Sequence, residues 1–210
     1  LAAATPPPDD AALYRRWCAR CHGERGDGRG PASAALRLAL QPPRDFTTGR
    51  FKLQSTPSGQ SPTDADLTRT IARGIPGTSM PYFGDLLGDA EIVRLVGVVR
   101  AFATTPRPPG TPIDLGPAPP DDEASSARGA RLYGDLGCAA CHGERGRGDG
   151  AAAAQLRAAD GMRLPPADLT RPWTFRGGDT PGDVAIRLTL LRQPRHLLRA
   201  LARRPALQCP

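Results

Sequence analysis

The hydrophobic pattern of the chain predicts helices separated by polar segments rich in glycine and proline. In residues 89–102, apolar side chains recur every three or four positions, as in an amphipathic helix that buries one face. That stripe consists of Ile92, Leu95, Val96, Val99 and Phe102. We expect this helix to cross a leading helix that ends near residue 17 and has its own apolar face at Leu13, Tyr14 and Trp17.

Glycine and proline also mark the boundaries of elements and domains. A third helix is predicted to start after Thr63 and to stop at Gly74. Residues 106–122 are dense in proline, which is typical of an extended, semi-rigid linker. The pattern therefore predicts one domain in residues 1–105 and another in residues 123–210.

The second half of the chain repeats much of the first. Residues 138–150 parallel residues 18–30, and residues 166–170 parallel residues 43–47. Pro181 corresponds to Pro62, ahead of another short predicted helix. The repeat fails from about Leu191, where the tail is rich in arginine, leucine and proline and includes an unpaired Cys209. Divergence and a frame slip in a GC-rich gene are both open interpretations of this tail.

A short cysteine and histidine motif occurs once in each half. Its copies are Cys18-Ala-Arg-Cys21-His22 and Cys138-Ala-Ala-Cys141-His142. Two cysteines separated by two residues and followed at once by histidine form the attachment signature of c-type haem. The two thiols bond to the vinyl groups of the porphyrin, and the histidine supplies the proximal nitrogen to the iron.

Zinc binding and thiol redox chemistry are the alternative interpretations of the motif. A zinc site would need a second cysteine or histidine pair nearby, and the chain has only three histidines. A thioredoxin-like site would need a strand–helix–strand setting, whereas the flanks of both copies are rich in glycine. A phosphate-binding loop is disfavoured because no G-x-x-x-x-G-K-[ST] pattern is present.

Composition supports the haem interpretation. The chain has 24 glycines and 24 prolines but only 5% aromatic residues, which is a poor basis for two conventional cores. Two covalently attached haem c groups would supply the missing apolar interior. The formal charge of +7 is scattered over arginines with few aromatics, so nucleic acid is not an expected partner. The excess charge could steer docking to an acidic redox partner.

Candidates for the distal iron ligands are few. Met80 lies in a loop between Gly77 and Pro81, at a suitable distance past His22 to cover the other haem face. A thioether opposite imidazole would raise the reduction potential, whereas a gap-filling core methionine is the alternative role. For the second iron the candidates are His196, Met162, and water or an open position, and the sequence leaves them all open.

The order of these features resembles a known family. The first half resembles bacterial class I cytochromes c, with a helix, CxxCH, a glycine-rich loop, methionine in a Gly-x-x-Met-Pro setting and a final helix. Together the halves resemble periplasmic dihaem c-type cytochromes. The resemblance implies a mainly α fold with two tandem class I cytochrome c-like haem domains, joined by a proline-rich linker. The second domain is incomplete or divergent at its C-terminus.

The resemblance implies one-electron transfer between protein partners. These would be a dehydrogenase or quinol-oxidising complex on one side and a terminal oxidase or reductase on the other. No catalytic dyad is evident, so the chain is not expected to be an enzyme. A dihaem peroxidase-type enzyme, a haem subunit held on a dehydrogenase or oxidase, and a gas sensor are the alternatives.

The expected location is the bacterial periplasm. Haem of this kind is attached outside the cytoplasm, and the alanine- and proline-rich start resembles what signal-peptide cleavage leaves behind. No apolar run approaches the roughly 18 residues of a transmembrane helix, so no membrane span is expected.

Overall fold

The protein is mainly helical, as the sequence predicts. The computed structural model describes residues 8–38, 42–157 and 163–191. Its helices are α1 Pro8–Trp17, α2 Ala19–His22, α3 Ser33–Leu38, α4 Asp64–Arg73, α5 Asp89–Ala101, α6 Glu123–Asp135, α7 Ala139–His142 and α8 Pro181–Leu191. Two single-turn 3-10 helices cover Ala153–Gln155 and Pro172–Thr174. Within the described ranges there is no β-strand, only two isolated bridges.

The described residues divide into two compact units. The first contains the residues up to Asp114 together with residues 185–191, and the second spans Leu115–Val184. Among the described helices, none is long and apolar enough to cross a lipid bilayer.

The core of the first unit forms where α1 and α4 pack on α5. Leu95 is completely buried, and Ile92, Val96 and Val99 of the predicted stripe are at most 5% exposed. Phe102, at the C-cap of α5, is partly buried against the same core. The predicted contact of α1 with α5 is confirmed, and the Tyr14 ring of α1 lies tilted against the Phe102 ring, with centroids 4.9 Å apart.

Local capping explains where α4 starts and ends. The Thr63 hydroxyl accepts a hydrogen bond from the Asp66 amide at 3.1 Å, and the Asp66 carboxylate accepts one from the Thr63 amide at 2.9 Å. This capping box satisfies two amide groups that lack partners within the helix. Gly74 then adopts φ 61°, a left-handed backbone that glycine tolerates without steric cost. The predicted bounds of this helix are therefore confirmed.

Part of the proline-rich segment pairs with the first unit. Gly110 donates its amide to the Ser61 carbonyl at 3.0 Å, and Ile113 donates to the Ser55 carbonyl at 2.8 Å. The Arg107 guanidinium also reaches the Gly59 carbonyl at 3.2 Å. These bonds fix residues 107–113 along one edge of the first unit, although the sequence predicts a linker there.

The second unit begins with a longer helix than the sequence predicts. Helix α6 starts at Glu123, because the Asp122 carboxylate caps it by accepting the Ser125 amide at 2.7 Å. The sequence pattern places this leading helix only from Ala130 onward. The predicted helix after Pro181 is confirmed as α8.

Packing of α5 predicts a stability difference between its two faces. We expect Leu95→Ala to lower the free energy of unfolding by about 3 kcal/mol, because it leaves a cavity at a fully buried position. Urea unfolding of the haem-loaded protein, followed by circular dichroism, measures this loss. Val93→Ala is the control on the same helix, since Val93 is 61% exposed and its truncation should change stability by less than about 0.5 kcal/mol. Equal losses in the two variants would contradict the packing of α5.

Candidate functional site

The first CxxCH motif sits on a helical turn that continues α1 with little interruption. The Cys18 amide bonds to the Tyr14 carbonyl at 2.8 Å, and the His22 amide bonds to the Cys18 carbonyl at 2.9 Å. Because these are helical i to i−4 bonds, Cys18 continues the last turn of α1, and Cys21 and His22 lie together one turn further along. Cys18 and Cys21 do not form a disulfide with each other, and both are half-buried.

The imidazole of His22 is fixed in position and in tautomer. Its Nδ1 lies 3.0 Å from the Arg44 carbonyl oxygen, which can only accept, so Nδ1 carries the proton. Its Nε2 is then left with a free lone pair, the arrangement of a metal-ligating histidine with an outer carbonyl partner. The ring stacks on Phe46 with centroids 4.4 Å apart. Burial lowers the pKa of His22, so that the neutral ring is favoured at pH 7.

The glycine-rich loop after His22 brings the backbone close to the segment that orients the imidazole. The Gly28 amide donates to the His22 carbonyl at 2.8 Å. Gly28 has φ 72°, and a Cβ there would lie 2.7 Å from the Pro43 carbonyl oxygen. A side chain at this position would therefore push away the Arg44 carbonyl that holds His22. From the sequence we expect the backbone of this loop to lie close to a ligand; the Gly28 contact is an additional close approach to the chain itself.

The second motif repeats this hydrogen-bonding scheme. The His142 amide bonds to the Cys138 carbonyl at 2.9 Å, and the Gly148 amide bonds to the His142 carbonyl at 2.8 Å. The Nδ1 of His142 lies 2.9 Å from the Ala167 carbonyl, the counterpart of Arg44. Both halves thus present a histidine with a free Nε2 and two cysteines on the preceding turn.

The two sites differ in how well the described residues cover them. Where Phe46 packs on His22, the second site has Leu169, which is 38% exposed. His22 is buried, whereas His142 is only half-buried. The second motif also has one extra residue between the tyrosine of its leading helix and its first cysteine: Cys138 follows Tyr133 by five positions, whereas Cys18 follows Tyr14 by four. Gly137, with φ 69°, lies in this longer spacing.

A tyrosine anchors the residue after the histidine in each half. The Tyr14 hydroxyl donates to the Gly23 carbonyl at 2.8 Å, and the Tyr133 hydroxyl donates to the Gly143 carbonyl at 2.7 Å. The Tyr133 bond forms although Gly137 adds one residue between this tyrosine and Cys138. The hydrogen bond from tyrosine to the residue after histidine is therefore the same in both halves, while the number of residues between them differs. Burial raises the pKa of Tyr14 far above its usual range, which keeps the hydroxyl protonated and able to donate. The Leu-Tyr pair shared by both leading helices is a sequence signal that could have revealed this role.

Removing the Tyr14 hydroxyl tests this anchor. We expect Tyr14→Phe to lower the free energy of unfolding by about 1 kcal/mol, since one buried hydrogen bond is lost. The Gly23 carbonyl keeps its bond from the Gly26 amide at 3.1 Å and is not left without a partner. Urea unfolding measures the change. Tyr82→Phe is the control, because the exposed Tyr82 hydroxyl bonds only weakly to Asp85 at 3.3 Å. Loss of this hydroxyl should leave the free energy of unfolding unchanged. A larger effect at Tyr82 than at Tyr14 would contradict the proposed anchor.

The loop of Met80 is folded back on helix α4. The Ile75 amide donates to the Met80 carbonyl at 3.2 Å, and the Met80 amide donates to the Thr78 hydroxyl at 3.1 Å. The Met80 side chain is partly buried against the core cluster that also contacts Cys18 and includes Phe46. Met80 thus packs against the same cluster as the first motif.

Thiol chemistry at Cys18 disfavours a redox-active cysteine pair. Burial raises the pKa of the Cys18 thiol to about 12, whereas reactive cysteines of oxidoreductases have a lowered pKa. A protonated, half-buried thiol beside a neutral imidazole with a free Nε2 suits a site where the cysteines hold an apolar group and the histidine binds its metal.

Comparison with known proteins agrees with this geometry. Residues 7–97 match the family described as cytochrome c oxidase, cbb3-type, subunit III, and residues 126–180 match the family described as cytochrome c. A chain of the reducing HAO-like protein complex of Kuenenia stuttgartiensis is 36% identical, with a TM-score of 0.73. The similarity covers 88% of this chain and 83% of that one. The chain belongs to the c-type cytochromes.

Each half of this cytochrome is a cytochrome c domain, and the two domains imply covalently bound haem c at both motifs. The residues around each motif fit that cofactor, because each site offers two thiols and an oriented imidazole nitrogen. Three residues singled out from the sequence, Met162, His196 and Cys209, lie outside the described residues.

Proposed function

We propose that this cytochrome carries single electrons between protein partners, using one haem in each half. Cys18 and Cys21 would hold the first haem, with His22 as its proximal ligand. Cys138 and Cys141 would hold the second haem, with His142 in the same role. The paired hydrogen bonds from His22 and His142 to backbone carbonyls carry this proposal, because they leave the same nitrogen free in both halves.

Bound haem supplies a reversible one-electron couple between ferric and ferrous iron. Each histidine ring is held by its hydrogen bond to a backbone carbonyl, so that gaining or losing the electron would require little rearrangement of the chain. Tyr14 and Tyr133 fix the peptide that follows each histidine. The hydrogen-bonded histidine ring in turn sets the orientation of the nitrogen that binds the metal.

Met80 is the proposed distal ligand of the first iron. It packs on the cluster that contacts Cys18, in a loop that Thr78 and Ile75 brace with hydrogen bonds. A thioether in this position favours the reduced iron and raises the potential.

His196 stays the proposed distal ligand of the second iron, with Met162 or solvent as the alternatives. The variants His196→Ala and Met162→Leu distinguish these three candidates. The variant that changes the absorbance spectrum of the second haem identifies its ligand, and no change in either variant favours solvent.

The proposed location is the periplasm, where partners would be a dehydrogenase or quinol-oxidising complex and a terminal oxidase or reductase. Fractionation of cells that express the full-length gene tests this location. Recovery of the haem-loaded protein with cytoplasmic markers would contradict it.

A potentiometric titration with absorbance detection tests the proposed function. Two reversible one-electron transitions, with no catalytic turnover when hydrogen peroxide is added to the half-reduced protein, are expected of a carrier. Rapid peroxide consumption by the half-reduced protein would instead favour a peroxidase-type enzyme.

A second candidate function is a haem subunit that stays bound to a larger complex. The similar Kuenenia stuttgartiensis chain comes from a protein complex, which favours this alternative. Native mass spectrometry of the protein purified from its own organism under low salt distinguishes the two. A stable assembly with a second protein would favour the subunit, and a single chain would favour the mobile carrier.

A further inference from the structure

A short motif, Pro-x-Asp-x-Thr, contains the backbone carbonyl that binds the histidine ring in each half. Its two copies are Pro43-Arg44-Asp45-Phe46-Thr47 and Pro166-Ala167-Asp168-Leu169-Thr170. In the first copy, the carbonyl of the second residue, Arg44, accepts the Nδ1 proton of His22. In the other copy, the Ala167 carbonyl does the same for His142. The motif therefore lies directly behind both proposed iron ligands.

The aspartate of each copy forms a turn with the threonine two positions later. Asp45 Oδ1 accepts hydrogen bonds from the Thr47 amide at 2.9 Å and from the Thr47 hydroxyl at 2.5 Å. Asp168 Oδ1 accepts the same two bonds from Thr170, at 3.0 Å and 2.6 Å. An aspartate that binds the amide two residues ahead closes an Asx turn and fixes the backbone between them. We call these two pairs the aspartate–threonine clamps.

The residue inside each clamp binds the glycine-rich loop that follows the histidine. The Phe46 amide donates to the Gly26 carbonyl at 2.7 Å, and the Leu169 amide donates to the Gly146 carbonyl at 2.6 Å. Because this loop starts directly after the histidine, the bond sets the clamp at a fixed place relative to the imidazole. The accepting carbonyl immediately precedes the clamp and is positioned with it.

The two copies show which side chains this arrangement requires. Arginine in one half and alanine in the other supply the accepting carbonyl, since every residue has one. The aspartate and threonine, which shape the backbone, are the same in both halves. Burial does not account for the second clamp, because Leu169 and Thr170 are exposed there, whereas Phe46 is buried in the first. The same hydrogen bonds thus form in two different packing environments.

We propose that Asp45 and Asp168 are positioning residues, each of which holds the accepting carbonyl against its histidine and thereby sets the reduction potential of its own haem. This rests on the haem ligation proposed above. A histidine that donates its Nδ1 proton to a well-placed acceptor is a more basic metal ligand. A more basic ligand favours ferric iron, so loosening of the carbonyl should raise the potential of that haem.

Exchange of the histidine Nδ1 proton with deuterium tests the proposal. It is measured by nuclear magnetic resonance on the haem-loaded ferrous protein with nitrogen-15-labelled histidine. We expect Asp45→Ala to speed exchange at His22 at least about tenfold, because two hydrogen bonds to a charged group are lost, and to leave His142 unchanged. Asp168→Ala should give the reverse pattern. The amide of the completely buried Leu95 reports global opening of the first unit.

Asp45→Asn is the conservative control, because its side-chain oxygen can still accept both bonds from Thr47 although the charge is lost. It should speed exchange at His22 less than about threefold. Potentiometric titration should place the first haem of Asp45→Ala at a higher potential than that of Asp45→Asn. Equal potentials in these two variants would show that only the charge matters and would overturn the proposal. Exchange at His22 that accelerates no more than exchange of the Leu95 amide would also overturn it.

Thr47→Val is the substitute if Asp45→Ala lowers haem attachment, since it keeps the charge and the shape and removes only the hydroxyl. It should speed exchange at His22 at least about threefold. An unchanged rate relative to the Leu95 amide would overturn the proposal. These measurements are independent of electron transfer to partners, so rapid peroxide consumption would contradict the carrier function alone. A chain that carried no haem would have no haem potential to measure and would contradict the proposed haem ligation itself.

Discussion

Cys18→Ala/Cys21→Ala is expected to reduce the covalently bound haem from two groups per chain to one. Without the thiols no bond forms to the porphyrin, whereas the second motif keeps its own cysteines and its oriented His142. Haem content after acid–acetone extraction, measured against protein concentration, gives the result. The same variant should also lose stability in the first unit, because the porphyrin supplies apolar interior that this unit would otherwise lack.

Cys209→Ala is the matched control for this variant, since it removes a cysteine outside both motifs. It should leave two covalent haems per chain. An unchanged haem content in the Cys18→Ala/Cys21→Ala variant, or a loss in the Cys209→Ala variant, would contradict the assignment of the first attachment site.

The second large effect is expected at Met80. Met80→Ala should abolish the long-wavelength methionine–iron charge-transfer band and lower the reduction potential of the first haem by an amount on the order of 0.1 V. That shift lies within the range of about 0.8 V that axial ligands span. Potentiometric titration with absorbance detection measures both. The ferrous variant should also gain carbon monoxide binding at the first haem.

Met162→Leu is the control for the Met80 variant, because it removes the other methionine of the chain. It should keep both the band and the potential of the first haem. If Met162→Leu removed the band and Met80→Ala did not, Met80 would be a core methionine and the distal assignment would be wrong.

Sequence periodicity predicted the helices that bury a continuous apolar face. The stripe from Ile92 to Val99 identifies α5, and capping residues identify the bounds of α4. Val98 is also buried at 2% exposure, although it lies off the predicted stripe. A helix covered on more than one side buries residues beyond a single stripe, and sequence periodicity alone does not reveal how many neighbours a helix has.

Contacts distant in sequence could not be predicted in the same way. The bond from His22 to the Arg44 carbonyl uses a backbone atom, so no side-chain type indicates it. The pairing of Ile113 with Ser55 likewise depends on backbone groups in a proline-rich segment whose composition indicates a linker. By contrast, the internal repeat was informative, since Leu169 bonds to Gly146 as Phe46 bonds to Gly26.

The central claim is that two porphyrins, each attached through a CxxCH motif, complete the interiors of the two cytochrome c domains. Intact mass spectrometry of the denatured protein after acid–acetone washing tests it most directly. The account predicts a single species whose mass exceeds that of the polypeptide by two haem groups. A colourless polypeptide of unmodified mass would contradict it.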